Sequence, residues 1–266
     1  MALKVLIADH LSEDGVELLK SESGLSVDIK TGLAPKDLAG VIKLYEGLVV
    51  RSATKVTADV IGKANRLKVI GRAGVGLDNV DLEAATRRGI ICMNVPGGNT
   101  ISAAEHTVSV MLALARKIPQ ADAHVRAGKW ERASFTGTEL LGKTLGVVGL
   151  GKIGSEVAKR AQSFGMRIIA YDPFLSTERA QQLEVQCVPL KQVLGEADFI
   201  TLHLPLTSRT RHLIGAKELA LMKKSARIIN CARGGIIDET ALHRALASGK
   251  LAGAALDVYE QEPPPK

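Results

Sequence analysis

Three glycines, Gly149, Gly151 and Gly154, make a G-x-G-x-x-G run directly after the apolar stretch Thr144–Val148 and at the head of Ile153–Phe164, which has helical spacing. Between a strand and a helix, such a run has a mechanism. Gly149 permits a tight turn, Gly151 lets the backbone approach a pyrophosphate, and Gly154 lets helix and strand pack closely. The helix N-terminus then offers N–H groups and a favourable dipole to the phosphates. Asp172 ends a second strand, Arg167–Tyr171, eighteen residues after Gly154 (172 − 154). A carboxylate there accepts from adenosine ribose hydroxyls and repels a 2′-phosphate, so NAD is the expected cofactor. Beside Pro173, a turn or cap role is the competing reading of Asp172.

Other residues suit an anionic ligand. Arg51 and Arg72 follow the apolar runs Gly47–Val50 and Leu67–Ile70, where their charges could meet a phosphate. Gly74 and Val75 offer backbone N–H groups for a carboxylate, and Asn99 is a further polar candidate. Lone arginines are more often solvated, and that reading stands beside the phosphate one.

Alternating strands and helices must hold these residues in place. In the first part, Lys4–Ala8, Gly47–Val50, Leu67–Ile70 and Ile90–Val95 read as strands and Ser12–Lys20 as a helix, until Pro96-Gly97-Gly98-Asn99 breaks the pattern. Ser102-Ala-Ala-Glu105 matches a capping box and predicts one long helix over Ala103–Val125, punctuated by Gly128. It is either a link between domains or an ordinary core helix. Further on, Phe199–Leu202, Arg227–Asn230 and Gly253–Asp257 read as strands, and Ala216–Met222 and Glu239–Ser248 as helices. The expectation is an α/β protein of two Rossmann-like parallel-sheet domains, residues 1–97 and 98–266.

Composition narrows the function classes. The 266 residues carry 35 Lys and Arg against 28 Asp and Glu, a formal charge of +7. No basic run exceeds two residues and aromatics do not interleave with them, so nucleic acid ranks below a small anionic ligand. Cys92, Cys187 and Cys231 have neither short pairing nor metal-type spacing, so no metal is expected and a reduced, cytoplasmic setting is. No apolar run reaches membrane-spanning length.

Several longer stretches occur in one order: Val50-Arg51-Ser-Ala-Thr, Gly71-Arg72-Ala-Gly74-Val75-Gly76-Leu-Asp78-Asn79-Val80-Asp81, Gly128-Lys-Trp130-Glu-Arg132, Cys231-Ala232-Arg233-Gly-Gly235, Ala255-Leu-Asp257-Val-Tyr and Glu262-Pro263-Pro264. Together they resemble the D-isomer-specific 2-hydroxyacid dehydrogenases over nearly the whole length. The resemblance implies a substrate domain, an NAD domain, an active site in the cleft between them, and oxidation of a 2-hydroxy acid, with 3-phosphoglycerate the leading substrate. Arg233 would orient the substrate carboxylate and carbonyl through a planar guanidinium that keeps its proton. Glu262, rather than Glu260, would pair with a histidine and favour its imidazolium. Val75, Lys152, Ile153, Asp172, Cys231, Ala232 and Asp257 would contact the cofactor, and Leu204 would do so through its main chain. Cys231 would line the nicotinamide pocket; Asp257 would reach the nicotinamide end or cap its strand. Arg132 would reach a neighbouring subunit's cleft in a homo-oligomer, a dimer or tetramer.

One departure matters. The resemblance implies a catalytic histidine beyond Glu262, and a returning segment that completes the substrate domain. The sequence as given ends at Lys266, ahead of both. The expectation is therefore an incomplete substrate domain and weak or absent turnover. His10, His106, His203 and His212 read as core or surface residues. Two alternatives remain: a hydroxypyruvate or glyoxylate reductase of the same family, and a non-catalytic NAD-sensing interaction protein.

Overall fold

In a computed structural model, residues 2–264 are described; Met1, Pro265 and Lys266 lie outside them. The chain divides into two compact units between Asn99 and Thr100.

The first unit carries strands β1 (Leu3–Ile7), β2 (Leu25–Ile29), β3 (Gly47–Val50), β4 (Val69–Arg72) and β5 (Ile91–Met93), all parallel in the order β2-β1-β3-β4-β5. Its helices are α1 (Glu13–Ser21), α2 (Pro35–Val41), α3 (Ala58–Lys63) and α4 (Leu82–Arg87). The Ser12, Thr57 and Asp81 side chains cap α1, α3 and α4 by accepting a backbone N–H of the first turn. The core is aliphatic, built on Leu6, Leu38, Ile42, Leu48, Ile61 and Ile70, with Tyr45 as its large aromatic.

The second unit holds α5 (Thr100–Arg116), α6 (Ile118–Arg126), β6 (Thr144–Val148), α7 (Lys152–Ser163), β7 (Arg167–Tyr171), α8 (Thr177–Gln182), β8 (Gln186–Cys187), α9 (Leu190–Glu196), β9 (Phe199–Leu202), α10 (Ala216–Leu221), β10 (Arg227–Asn230), α11 (Glu239–Ala247) and β11 (Gly253–Leu256). Its sheet is parallel, in the order β11-β10-β9-β6-β7-β8. Cores form on both faces. Met111 of α5 and Val157 of α7 meet Leu145 and Val147 on one face; Val193 of α9, Leu219 of α10 and Leu242 of α11 meet Val148 and Ile200 on the other. Every residue of β6 is buried, as expected of a central strand covered twice.

Two local expectations need correction. The long helix is broken: Lys117 takes a left-handed conformation (φ 55°) between α5 and α6. Pro119 is the cause, because it lacks an N–H and its ring would clash with the Ala115 carbonyl of a continuous helix. That carbonyl accepts from Thr138 N at 2.9 Å instead. The capping box fails as well. The helix starts at Thr100, so Ser102 sits inside its first turn, and Glu105 lies 3.7 Å from the Arg160 guanidinium. No helix among the described residues is long and apolar enough to cross a membrane.

Candidate functional site

A doubly wound parallel sheet leaves a crevice where neighbouring strands send their connections to opposite faces, beyond the carboxyl ends of the strands. In the second unit that point lies between β6 and β9. Gly149 follows β6 with φ 93°, and a Cβ on it would stand 2.5 Å from the His203 carbonyl at the end of β9. The two lips of the crevice therefore touch through this glycine. Gly154, one turn into α7, is equally confined: a Cβ there would lie 2.1 Å from the Gly149 carbonyl. Gly151, the N-cap of α7, has nothing within 4 Å of where its Cβ would be. Two glycines are thus spent on packing and one on leaving space at a helix N-terminus.

Open space at Gly151 is what a dinucleotide needs. A cavity of about 430 Å³ lies there, lined by Thr100, Leu150, Gly151, Lys152, Ser155, Glu156 and Arg179. Ile153 turns inward and packs on the core. At the end of β7, Asp172 Oδ2 accepts the Leu150 N–H at 2.8 Å and Oδ1 accepts the Phe174 N–H at 2.9 Å. Each oxygen keeps acceptor capacity for a ribose hydroxyl. The turn, the helix start and the carboxylate form one connected surface that fits NAD.

Further along the same sheet edge, Cys231, Ala232 and Arg233 follow β10. Buried Asn230 shapes this loop: its Oδ1 accepts Ala232 N at 3.0 Å and its Nδ2 donates to Arg233 O at 2.8 Å. The Arg233 guanidinium donates to Ala232 O at 2.6 Å. Gly234 brings in the next loop, since a Cβ there would fall 1.9 Å from the Tyr259 carbonyl. Glu262 in that loop accepts Tyr259 N at 3.1 Å. Glu260 is exposed, but it is more than a solvated acid: it meets His212 Nε2 at 3.0 Å and accepts Glu239 N at 3.3 Å. Asp257 lies after β11, with His106 Nε2 3.2 Å from its carboxylate. Burial pushes the Cys231 thiol up to about 11 against a lowering contact from Thr107, so the free thiol carries its proton near neutral pH. Leu204 lies against Gly149; beside it, burial pushes His203 down to about 4, leaving a neutral ring 3.0 Å from Thr201 Oγ1. Arg132 is exposed in a short 3-10 turn, Arg132–Phe135.

In the first unit the switch lies between β1 and β3. A cavity of about 650 Å³ opens beside Asp9 and His10, which follow β1, and Arg51 to Lys55, which follow β3. Buried Asp9 fixes the second of these loops, accepting Arg51 N at 2.5 Å, Thr54 N at 3.2 Å and the Thr54 hydroxyl at 2.8 Å. Asn79 donates to the carbonyls of Arg51 and Thr54, each at 2.7 Å. Arg51, His10 and Lys55 share this cavity; Arg72 ends the neighbouring strand and is not among its lining residues. Gly74 makes a tight turn with its N–H on the Arg72 carbonyl at 2.8 Å, so that donor, expected to face a substrate carboxylate, is already engaged. A Cβ on Gly74 would lie 2.1 Å from an Arg72 guanidinium nitrogen. The Val75 carbonyl accepts from Asn94 Nδ2 at 2.6 Å, and Asn99 is exposed at the end of the unit.

The supporting roles of Asp9, Thr54, Asn79 and Asn230 escape the sequence reading. Asp9 and Asn230 had one usable signal, a polar residue closing an apolar strand. Asn79 and Thr54 had only their place in the quoted motifs, because the partners that give them their roles are distant in sequence.

Residues 108–266 match the family described as D-isomer specific 2-hydroxyacid dehydrogenase, NAD binding domain. The chain is 53% identical over 262 residues to a D-3-phosphoglycerate dehydrogenase of Archaeoglobus fulgidus, covering 98% of the chain and 50% of that protein. It spans about half the length of the curated relatives it matches. Among solved structures, the TT0316 protein of Thermus thermophilus superposes with a TM-score of 0.91 at 38% identity, over 99% of this chain and 84% of that one. A D-lactate dehydrogenase of Aquifex aeolicus, complexed with NAD and lactic acid, gives 0.87 at 32% identity, over 97% and 78%.

Proposed function

The chain belongs to the D-isomer-specific 2-hydroxyacid dehydrogenases, with NAD as cofactor, and on that premise we propose that it oxidises D-3-phosphoglycerate to 3-phosphohydroxypyruvate. The observation that carries this reading is that each unit opens a cavity at the switch point of its own sheet, beside the glycine turn in one and beside Arg51 and Lys55 in the other. The second unit is the NAD-binding domain and the first unit the substrate domain.

When bound, NAD supplies the acceptor for the hydride leaving C2. N–H groups at the start of α7, around Gly151, Lys152 and Ile153, meet the pyrophosphate, and Asp172 takes the ribose hydroxyls. Leu204, Cys231, Ala232 and Asp257 line the nicotinamide end. Arg233 holds the carboxylate and polarises the carbonyl oxygen, in a loop kept in shape by Asn230. Glu262 would steady the histidine that the family resemblance implies for the hydroxyl proton. Arg51, Arg72, Val75 and Asn99 are the first unit's ligand contacts, with the arginines taking the phosphate and Gly74 holding the turn beside Arg72. The protein works in the cytoplasm, at the head of serine biosynthesis, as a dimer or tetramer. Trp130, 76% exposed beside Arg132, supports a subunit contact there.

Steady-state NADH formation by the full-length protein tests the assignment. The reading expects kcat/KM for D-3-phosphoglycerate to exceed that for D-glycerate at least about tenfold, as one retained charged contact would give. Faster reduction of glyoxylate or hydroxypyruvate than of phosphohydroxypyruvate would overturn it in favour of a reductase.

A further inference from the structure

Three side chains of different chemistry converge beside the Arg233 loop: His106 on α5, Cys231 after β10 and Asp257 after β11. One ligand atom from each, an imidazole nitrogen, the thiol sulfur and a carboxylate oxygen, lies within 4.8 Å of the others. We propose that these three residues form a site for a thiophilic divalent cation, with Zn²⁺ as the type, and that its occupancy excludes the nicotinamide end of NAD.

The donor set decides the class of ion. One sulfur, one imidazole and one carboxylate suit Zn²⁺ and its congeners, whereas Mg²⁺ and Ca²⁺ take oxygen. Tetrahedral bonds of about 2.0–2.3 Å place ligand atoms roughly 3.3–3.6 Å apart. His106 Nε2 and the Asp257 carboxylate already stand 3.2 Å apart. The remaining separations, at most 4.8 Å, have to shorten by about 1 Å through side-chain rotation. The supports are rigid: α5 packs against the sheet, Asn230 accepts Asp257 N on its carbonyl at 3.0 Å, and the Asn230 side chain fixes the Cys231 loop. His106 and Asp257 are about half exposed, so an ion can enter from solvent, and three protein ligands leave the fourth position to water. Binding replaces the thiol proton by the metal and releases that proton to solvent.

Sequence spacing gives no hint of this site, because its ligands are scattered over 106, 231 and 257 and meet only through the parallel sheet. The exclusion of NAD rests on the proposed placement of Cys231 and Asp257 at the nicotinamide end; the metal site does not.

Titration of the protein with Co²⁺, followed by thiolate-to-cobalt charge-transfer absorption and reversed by Zn²⁺, tests the site. The expected result is one Co²⁺ per chain, a band absent in Cys231→Ser, and binding at least about tenfold weaker in His106→Ala. No band in the native protein, or a band that survives Cys231→Ser, overturns the proposal. X-ray absorption at the zinc edge of the native protein settles the matter if the variants fail to fold. One sulfur with nitrogen and oxygen neighbours supports the site, and a shell without sulfur overturns it. Added NAD should raise the apparent Kd for Zn²⁺, and Zn²⁺ that for NAD, by the same factor. A metal that binds through Cys231 with no effect on NAD would overturn the exclusion and the nicotinamide placement while leaving the metal site intact.

Discussion

Asp172 reaches back to the glycine turn and accepts the Leu150 N–H at 2.8 Å, so the acid at the end of β7 and the loop after β6 are one unit before any ligand arrives. A carboxylate fixed in this way meets a ribose without first being ordered. It also meets a 2′-phosphate as a fixed like charge. NAD should therefore bind at least tenfold more tightly than NADP, about 1.4 kcal/mol, by calorimetric titration. Asp172→Asn should narrow that ratio, since it removes the charge and sets an amide NH₂ against one of the two backbone donors. Equal affinities in the native protein would remove Asp172 from the cofactor site.

Two glycines three residues apart should behave in opposite ways. Gly154→Ala drives a methyl group to 2.1 Å from the Gly149 carbonyl, and a backbone oxygen between β6 and α7 has little room to retreat. The expected cost is about 1–3 kcal/mol in denaturant unfolding, more than the helix propensity that alanine adds. Gly151→Ala meets nothing within 4 Å and should leave stability unchanged while weakening NAD. A stable Gly154→Ala, or a Gly151→Ala that binds NAD normally, would contradict these roles.

The first unit offers a direct and an indirect test of phosphate recognition. Arg51→Ala should weaken D-3-phosphoglycerate relative to D-glycerate by about 1.5–3 kcal/mol in KM terms. Gly74→Ala should act through Arg72, whose guanidinium lies where the new methyl group would go. Its effect should match Arg72→Ala in direction and be smaller, because a long side chain can swing aside. If both substrates suffered equally in Arg51→Ala, the arginine would be structural.

Acid should find His203 early. Its folded value, about 4, lies below the ordinary 6.5, so the unfolded chain takes up the proton first. Above 6.5 neither state is charged and the group contributes nothing to pH dependence. As pH falls from 6.5 to 4, stability drops, by up to about 3 kcal/mol, and the slope then flattens. His203→Gln, read by urea midpoints at several pH values, should reduce the loss in that window. An unchanged slope would mean that the ring finds water or a partner when charged.

What the sequence determined by itself was the architecture around β6 and the identity of its glycines. Thr144–Val148, Arg167–Tyr171, Phe199–Leu202 and Arg227–Asn230 are the same residues in sequence pattern and in structure, because strands covered on both faces read as unbroken apolar runs. Edge strands lack that signature. Leu25–Ile29 alternates partly buried and exposed positions, and Gln186–Cys187 is two residues long, so neither stands out from loop sequence. Of the helices of six or seven residues, α10 was legible, but α3 and α9 were not, since so short a stretch shows a helical period only weakly. Tertiary structure alone decided which polar residues serve the site. Asp9 meets Thr54 forty-five positions away, and His106 meets Asp257 across half the chain. Parallel crossovers bring remote strand ends to one edge, and no local pattern encodes the partner a side chain will find there.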